Sequence, residues 1–146
     1  MPSSYSNIIS GLGTVLSNNI SGAPGGSLMV YTYPPDAVNS YPAAIIIPES
    51  INPQIAFGGN GFEGTLRVIF LVASGDEGEG YLQLYDYLDP VQTTKSVIAA
   101  IRTDRTLGTN VDSSEIVRIE NVGRREIAGG AAYGFDALIS FVKGGT

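Results

Sequence analysis

Hydrophobic residues near the start of the chain recur at the spacing of an α-helix. Between residues 4 and 17 they form one stripe, made of Ile8, Ile9, Leu12, Val15 and Leu16. Similar spacing recurs at 81–88 and at about 96–104. The first of these later segments ends at Asp89-Pro90, because proline does not continue a helix. The pattern therefore predicts three helices, of which the last two are neighbours in sequence.

Two glycines, Gly11 and Gly13, lie inside the first predicted helix. Each lowers the stability of a helix by roughly 1 kcal/mol relative to alanine. We therefore expect this helix to depend on packing against a neighbouring element.

Five further segments have the pattern of β-strands. They lie at 28–33, 42–48, 65–73, 116–122 and 133–142. The second is apolar without alternation, so we expect both of its faces to be covered. The last alternates strictly, which is typical of a strand with two different faces. Its alternating set is Tyr133, Phe135, Ala137, Ile139 and Phe141.

Residues 49–62 carry apolar side chains around a glycine-rich turn at 58–61, which predicts an extended hairpin arm. Residues 123–130 are expected to form a long connection between the last two strands. Hairpin neighbours dominate the order of elements, and the helices cluster. The sequence therefore predicts an α+β fold, a single domain over 1–146 with a mostly antiparallel sheet and helices packed on one face.

The composition matters mainly for what it lacks. The chain has no Cys and no His, which excludes a disulfide framework, thiolate zinc sites and a Ser-His-Asp triad. No apolar run reaches the roughly 18 residues that a membrane helix needs. The N-terminus lacks the basic region of a secretory signal. We therefore expect an intracellularly made protein with no cofactor, metal centre or membrane association.

The chain is acidic, with 8 Lys and Arg against 14 Asp and Glu and a net charge of −6. Such a surface repels a polyanion, so adhesive binding to nucleic acid is disfavoured. Charged residues make up only 15% of the chain. We infer more apolar surface than one small globule would hide, which favours an oligomer.

The candidates for acid–base chemistry are four aspartates, Asp86, Asp89, Asp104 and Asp112. Paired carboxylates serve glycoside hydrolysis, but nothing in the sequence fixes the separation of these four. The acidic segment 76–79 lacks the alternating ligands of a calcium loop and is interpreted as a solvated loop. The glycines at 58–61 lack the Lys-Ser/Thr ending of a phosphate loop. We expect no catalytic residue and no enzymatic activity.

The adjacent basic pair in Arg124-Arg125-Glu126 has two interpretations. In the first, it forms an ion pair with a carboxylate of a partner. In the second, it is a solvated charge on a hairpin that prevents a sheet edge from pairing with another strand.

Tyrosines supply most of the aromatic residues, 8 Tyr against 5 Phe, and tyrosine suits interfaces. The predicted contact residues lie in the arm and in the 123–130 connection. They are Ile55, Phe57, Asn60, Phe62, Arg124, Arg125 and Glu126.

Eight stretches of the chain, in order, resemble the tail terminator (tail-completion) proteins of long-tailed bacteriophages, especially those that infect actinobacteria. The stretches are YPPD at 33–36, YPAAIIIP at 41–48, FGGNG at 57–61, LRVIFLV at 66–72, LYDYLD at 84–89, SVIAAI at 96–101, DRTLG at 104–108 and VD at 111–112. The resemblance extends over nearly the full chain, and DRTLG is its most specific stretch. They are signatures of a fold rather than of a site. The glycine-rich segment 21–27 departs from the pattern and could alter local loop contacts.

The resemblance implies a structural virion protein, assembled in the host cytoplasm and located at the head-proximal end of the tail. It implies a homohexameric ring that caps the tail tube protein, ends tail polymerisation and docks the head-completion or connector protein. DNA would pass through the lumen without specific binding, in keeping with the acidic charge.

Two alternatives stay open. One is another head–tail connector component, such as a head-closure or neck protein. The other is a small Asp/Glu-dependent hydrolase or ligand-binding domain, which needs an enclosed pocket with convergent carboxylates.

Overall fold

The computed structural model describes residues 4–20, 28–36, 38, 42–53, 61–74, 79–89, 96–127 and 130–143. Within these ranges the chain forms three helices and five strands. In chain order they are α1 (Ser4–Asn19), β1 (Met29–Tyr31), β2 (Ala43–Pro53), β3 (Phe62–Ser74), α2 (Glu79–Leu88), α3 (Val97–Thr103), β4 (Ser113–Ile127) and β5 (Gly130–Lys143).

The described strands form one sheet in the order β1-β2-β3-β5-β4. The pairs β2–β3, β3–β5 and β5–β4 are antiparallel, whereas β1 and β2 are parallel. Val38, in the connection between β1 and β2, packs with Ala43 and Leu71 on the face opposite the helices. The predicted mostly antiparallel sheet is therefore confirmed, with β1 as the exception.

The helices share one face of the sheet, as the sequence predicted. Leu12 of α1, Leu84 of α2 and Ile101 of α3 belong to one buried core with the inward side chains of the strands. In that core the rings of Phe70 and Phe135 stack with their centroids 5.2 Å apart. The arrangement confirms the α+β fold. None of the described helices is long and apolar enough to cross a membrane.

The base of the predicted hairpin arm is present. β2 continues beyond its apolar run to Pro53, which lies opposite Phe62 at the start of β3. Phe62 also lies opposite Lys143 of β5, so this base is the end of the main sheet. The tip at 54–60 falls outside the described residues. With it fall three predicted contact residues, Ile55, Phe57 and Asn60.

The prediction of a long connection at 123–130 is wrong. β4 and β5 together cover all of it except residues 128 and 129. The pairing of β4 with β5 slips at 116–118 and again at 120–123, and Asn121 adopts a φ of 56°. Such bulges add residues to one strand and change which face each side chain points to. The apolar alternation therefore stops although the strand continues.

Helix α1 packs against the turn that follows α3, and Gly11 lies at the contact. A Cβ atom at Gly11 would be 2.3 Å from the carbonyl oxygen of Leu107 and 2.6 Å from Nδ2 of Asn110. The close approach therefore requires a residue without a side chain. Gly13 faces the sheet, where a Cβ would meet Cγ1 of Val30 at 3.1 Å. The expected dependence of this helix on its neighbours is thus explained by contact.

Candidate functional site

Asp104, one of the four aspartates weighed for acid–base chemistry, lies at the C-terminal end of α3. In the part of the chain that the structure describes, no three acidic side chains lie close enough to hold a metal ion. Asp104 accepts hydrogen bonds from Oγ1 of Thr106 at 2.8 Å, from the N–H of Thr106 at 3.1 Å and from the N–H of Gly108 at 3.1 Å. These bonds lower the pKa of Asp104, the opposite of what a general acid needs. Asp104 therefore stabilises its own turn.

Two other sequence candidates cannot be placed. The segment 76–79, weighed as a calcium loop, lies outside the described residues except for Glu79 at the start of α2. The glycine turn at 58–61 is likewise outside them except for Gly61.

A group of charged and polar side chains lies on the sheet face away from the helices. We call it the Asp136 network, and its members are Glu49, Arg67, Arg118, Glu120, Asn121, Arg125 and Asp136. Asp136 lies at the centre and its side chain is only 2% exposed. It accepts from Nη1 of Arg67 at 2.6 Å, from Nδ2 of Asn121 at 2.9 Å and from Nη1 of Arg125. Its burial is thus compensated by charged and neutral donors.

Arg67 joins Asp136 to two further carboxylates. Its Nη2 lies 2.7 Å from Glu49, and its Nη1 lies 3.1 Å from Glu120. Glu120 is also paired with Arg118 at 2.8 Å. Hydrogen bonding to Arg67 lowers the pKa of Glu49, and the carboxylates raise the pKa of Arg67.

The network is electrically balanced, because it contains three carboxylates and three guanidinium groups. Its members lie on β2, β3, β4 and β5, so it connects four neighbouring strands across one face. The ion pairs and hydrogen bonds of the network therefore link these four strands on one face of the sheet.

A cleft of about 300 Å³ lies between α3 and β4, and we call it the α3–β4 cleft. Apolar side chains that also pack in the core or against it line its inner part, namely Ile98, Ile101, Ile116 and Ile119. Its exposed basic residues are Arg102, Arg105 and Arg118. Ser114 donates to the backbone carbonyl of Arg105 at 2.8 Å and so fixes that residue against β4. Arg102 and Arg105 have no carboxylate partner within the described ranges.

The strand that borders this cleft lies at the edge of the sheet. β4 pairs with β5 on one side and has no described strand on the other. Val117 and Val122 fall in its two bulges, without a partner in the register, and are 55% and 50% exposed. Val117 also lines the α3–β4 cleft. The bulges therefore place apolar side chains in solvent along a sheet edge.

The described contact residues predicted from the sequence occupy different environments. Phe62 is half-buried, with its ring centroid 6.2 Å from Tyr5 and 5.8 Å from Phe141. Arg125 is committed to Asp136 within the chain. Arg124 and Glu126 are exposed. Arg124, Arg125 and Glu126 line one pocket on β4, whereas Phe62 lies at the other end of the sheet. A role in subunit contact stays a prediction for all four.

The tyrosines divide between surface and core. Tyr33 and Tyr85 are 69% and 58% exposed, whereas Tyr87 is almost fully buried. Burial raises the pKa of Tyr87 to about 12. Among the tyrosines whose burial the structure describes, Tyr33 and Tyr85 are the exposed ones and the best placed to contact a partner.

The sequence reasoning missed both the Asp136 network and the α3–β4 cleft. One signal for the network was present, because Arg67 and Asp136 are single charges of opposite sign within apolar strands. Charges in such positions are rarely buried without a partner. No comparable signal marked the cleft, which depends on how α3 packs beside β4.

Comparison with known proteins does not identify a relative. A scan against models of protein families found no match, and a search of curated proteins found none either. Support for a function comes from the geometry and from the resemblance in the sequence.

Proposed function

We propose that this chain is a non-enzymatic assembly protein, the subunit of a homo-oligomeric ring that terminates the tail tube of a long-tailed bacteriophage. In this proposal the ring is a hexamer at the head-proximal end of the tail in the virion. It stops polymerisation of the tube protein, offers a docking face to the head connector and lets DNA pass without binding it.

The observation that carries the proposal is the edge formed by β4. An edge strand exposes backbone N–H and C=O groups that can pair with another chain. Here the edge is 15 residues long, and its bulges expose Val117 and Val122 rather than hiding them. Exposed valines gain free energy when a partner covers them. These features favour a surface that is covered in an assembly.

A second, different surface lies at the opposite edge of the sheet. β1 pairs only with residues 43–45 of β2, so residues 46–53 have no described neighbour on that side. This stretch includes Ile51, which is 54% exposed. Two unlike contact surfaces support head-to-tail association, which closes into a ring when the rotation between subunits allows it.

The test is the oligomeric state of the purified protein, measured by native mass spectrometry and negative-stain electron microscopy, alone and with isolated tail tubes. We expect six-membered rings for the wild type and loss of rings for Val117→Asp/Val122→Asp. Asn7→Asp/Ser10→Asp is the matched control, because it adds the same two charges at exposed positions of α1, which lie on neither edge of the sheet. It should leave assembly unchanged, and circular dichroism should show all three proteins folded.

A strict monomer at high concentration that forms no rings beside tail tubes contradicts the proposal. Binding to filled heads but not to tail tubes identifies a head-closure component instead.

A further inference from the structure

We propose that the α3–β4 cleft binds the acidic segment Asp76-Glu77-Gly78-Glu79 of a neighbouring copy of this chain. The inference rests on the proposed function, because it names a contact between adjacent subunits of the ring.

Charge complementarity is the first argument. In a chain with a net charge of −6, the cleft gathers three arginines, Arg102, Arg105 and Arg118, against a single lining carboxylate, Glu115. Arg118 is paired with Glu120, whereas Arg102 and Arg105 are exposed and unpaired within the described ranges. A ligand for this surface should therefore carry carboxylates. The segment 76–79 places three carboxylates in four residues.

The shape of the segment is the second argument. Gly75, Gly78 and Gly80 interleave with its acidic residues, so the backbone carries little side-chain bulk besides the carboxylates. Such a chain can approach a narrow cleft closely, since glycine lacks the Cβ that would hold a neighbour away. The carboxylates can then accept charge-assisted hydrogen bonds from guanidinium groups at the rim.

The segment has to come from another copy, because it is too short to reach Arg105 of its own chain. Ser74, which precedes it, lies opposite Ala132 of β5, whereas Ser114 beside Arg105 lies opposite Phe141. The two positions on β5 are nine residues apart, which is about 30 Å along a strand. The chain from Ser74 to Glu79 reaches at most about 18 Å when fully extended. A chain therefore cannot place this segment at its own Arg105.

The resulting contact joins two different surfaces, the cleft of one copy and the β3–α2 connection of the next. Such a contact is heterologous and repeats around a ring. It also gives the association a direction, because copies in other orientations bring acidic surfaces together.

A charge swap tests the pairing. Arg102→Glu/Arg105→Glu and Asp76→Arg/Glu77→Arg should each weaken association at least about tenfold, because each replaces attraction by repulsion. The combined variant carries all four changes and has the net charge of the wild type. It should recover association, which excludes an effect of net charge alone. Mass photometry and sedimentation at matched concentrations measure the association.

The outcomes separate this inference from the proposed function. If the wild type forms rings and both charge variants form them equally well, the cleft is not the contact although the function stands. If both variants lose assembly and the combined variant does not recover it, the segment is not the occupant. If the wild type forms no rings, the proposed function itself fails. If circular dichroism shows that Arg102→Glu/Arg105→Glu is unfolded, Arg102→Gln/Arg105→Gln is used in its place. This variant removes the positive charges without introducing repulsion. Unchanged association of this variant would overturn the inference.

Discussion

Replacing Asp136 by asparagine tests whether the Asp136 network stabilises the sheet. The substitution keeps the shape of the side chain but removes its charge and turns one acceptor oxygen into a donor. Asp136 accepts from Arg125 through Oδ1 and from Arg67 and Asn121 through Oδ2. Whichever way the new amide turns, its NH₂ group faces a guanidinium. At least one charged donor therefore loses its acceptor.

The magnitude follows from which groups stay paired. Removing one member of a buried ion pair typically costs about 3–5 kcal/mol. Arg67 keeps Glu49 and Glu120, whereas Arg125 has no other described carboxylate. We therefore expect Asp136→Asn to lower the free energy of unfolding by about 3 kcal/mol, the lower end of that range. Against a total of about 5–15 kcal/mol for a typical domain, this is a large loss.

Urea denaturation followed by circular dichroism measures the effect, at a concentration where the wild type and the variants have the same oligomeric state. That condition matters because association adds to the apparent stability. Glu49→Gln is the matched control, since it removes a partly exposed carboxylate from the same network. It should cost clearly less than Asp136→Asn, because ion pairs at the surface contribute little to stability. If Asp136→Asn costs no more than this control, the network does not hold the strands together and our reasoning is refuted.

Three further changes test packing and capping. Gly11→Ala should lower the unfolding free energy by more than about 1 kcal/mol, although alanine has the better helix propensity. The reason is that the Cβ of the alanine would lie 2.3 Å from the carbonyl oxygen of Leu107 and clash with it. Gly13→Ala should change the unfolding free energy by less than about 1 kcal/mol, and equal urea midpoints for the two variants would contradict the steric argument. Tyr5→Phe should raise the unfolding free energy by up to about 1 kcal/mol, because the Tyr5 hydroxyl is buried with no partner among the described residues; a loss of stability would reveal a hidden partner. The pKa of Asp104 in the folded chain lies below its ordinary value of 3.8, so its stabilisation is present above about pH 4 and lost as the pH falls. Asp104→Asn should therefore destabilise the protein at pH 7 but much less at pH 2.5, and an equal effect at both values would refute this account.

Much of the fold is readable from local pattern. The alternation in β5 identifies its core face, and the periodicity of α1 places Leu12 and Leu16 in the core. Both signals arise because the buried face of a strand repeats every second residue and that of a helix every three to four residues, so apolar side chains recur at those spacings. The parallel pairing of β1 with β2 has no such signal, since it depends on where the connection between the two strands returns the chain. The length of β4 could not be predicted either, because its bulges interrupt the alternation of apolar and polar residues by which a strand is recognised in a sequence.

The candidate site was predictable only in part. The absence of His and Cys limits the available chemistry directly from composition. The assignment of Arg125 to an internal ion pair requires knowledge that β4 and β5 bring it beside Asp136. Register is a property of two strands together, so neither segment alone contains it. The cleft likewise depends on a helix and a strand that meet only after the sheet has formed.

The charge distribution is compatible with the proposed self-association of an acidic chain. Three acids and three arginines cancel within the Asp136 network, so the net charge of −6 resides on the rest of the molecule. Two of the remaining arginines, Arg102 and Arg105, are concentrated beside one cleft. Two copies that approach at random therefore repel each other on average, whereas a carboxylate-bearing surface that meets the cleft is attracted to it. Specificity that combines general repulsion with one attractive contact favours ordered assembly over aggregation. For the proposed ring, added salt should weaken both effects at once, so high salt should replace rings by monomers or irregular aggregates rather than strengthen the rings.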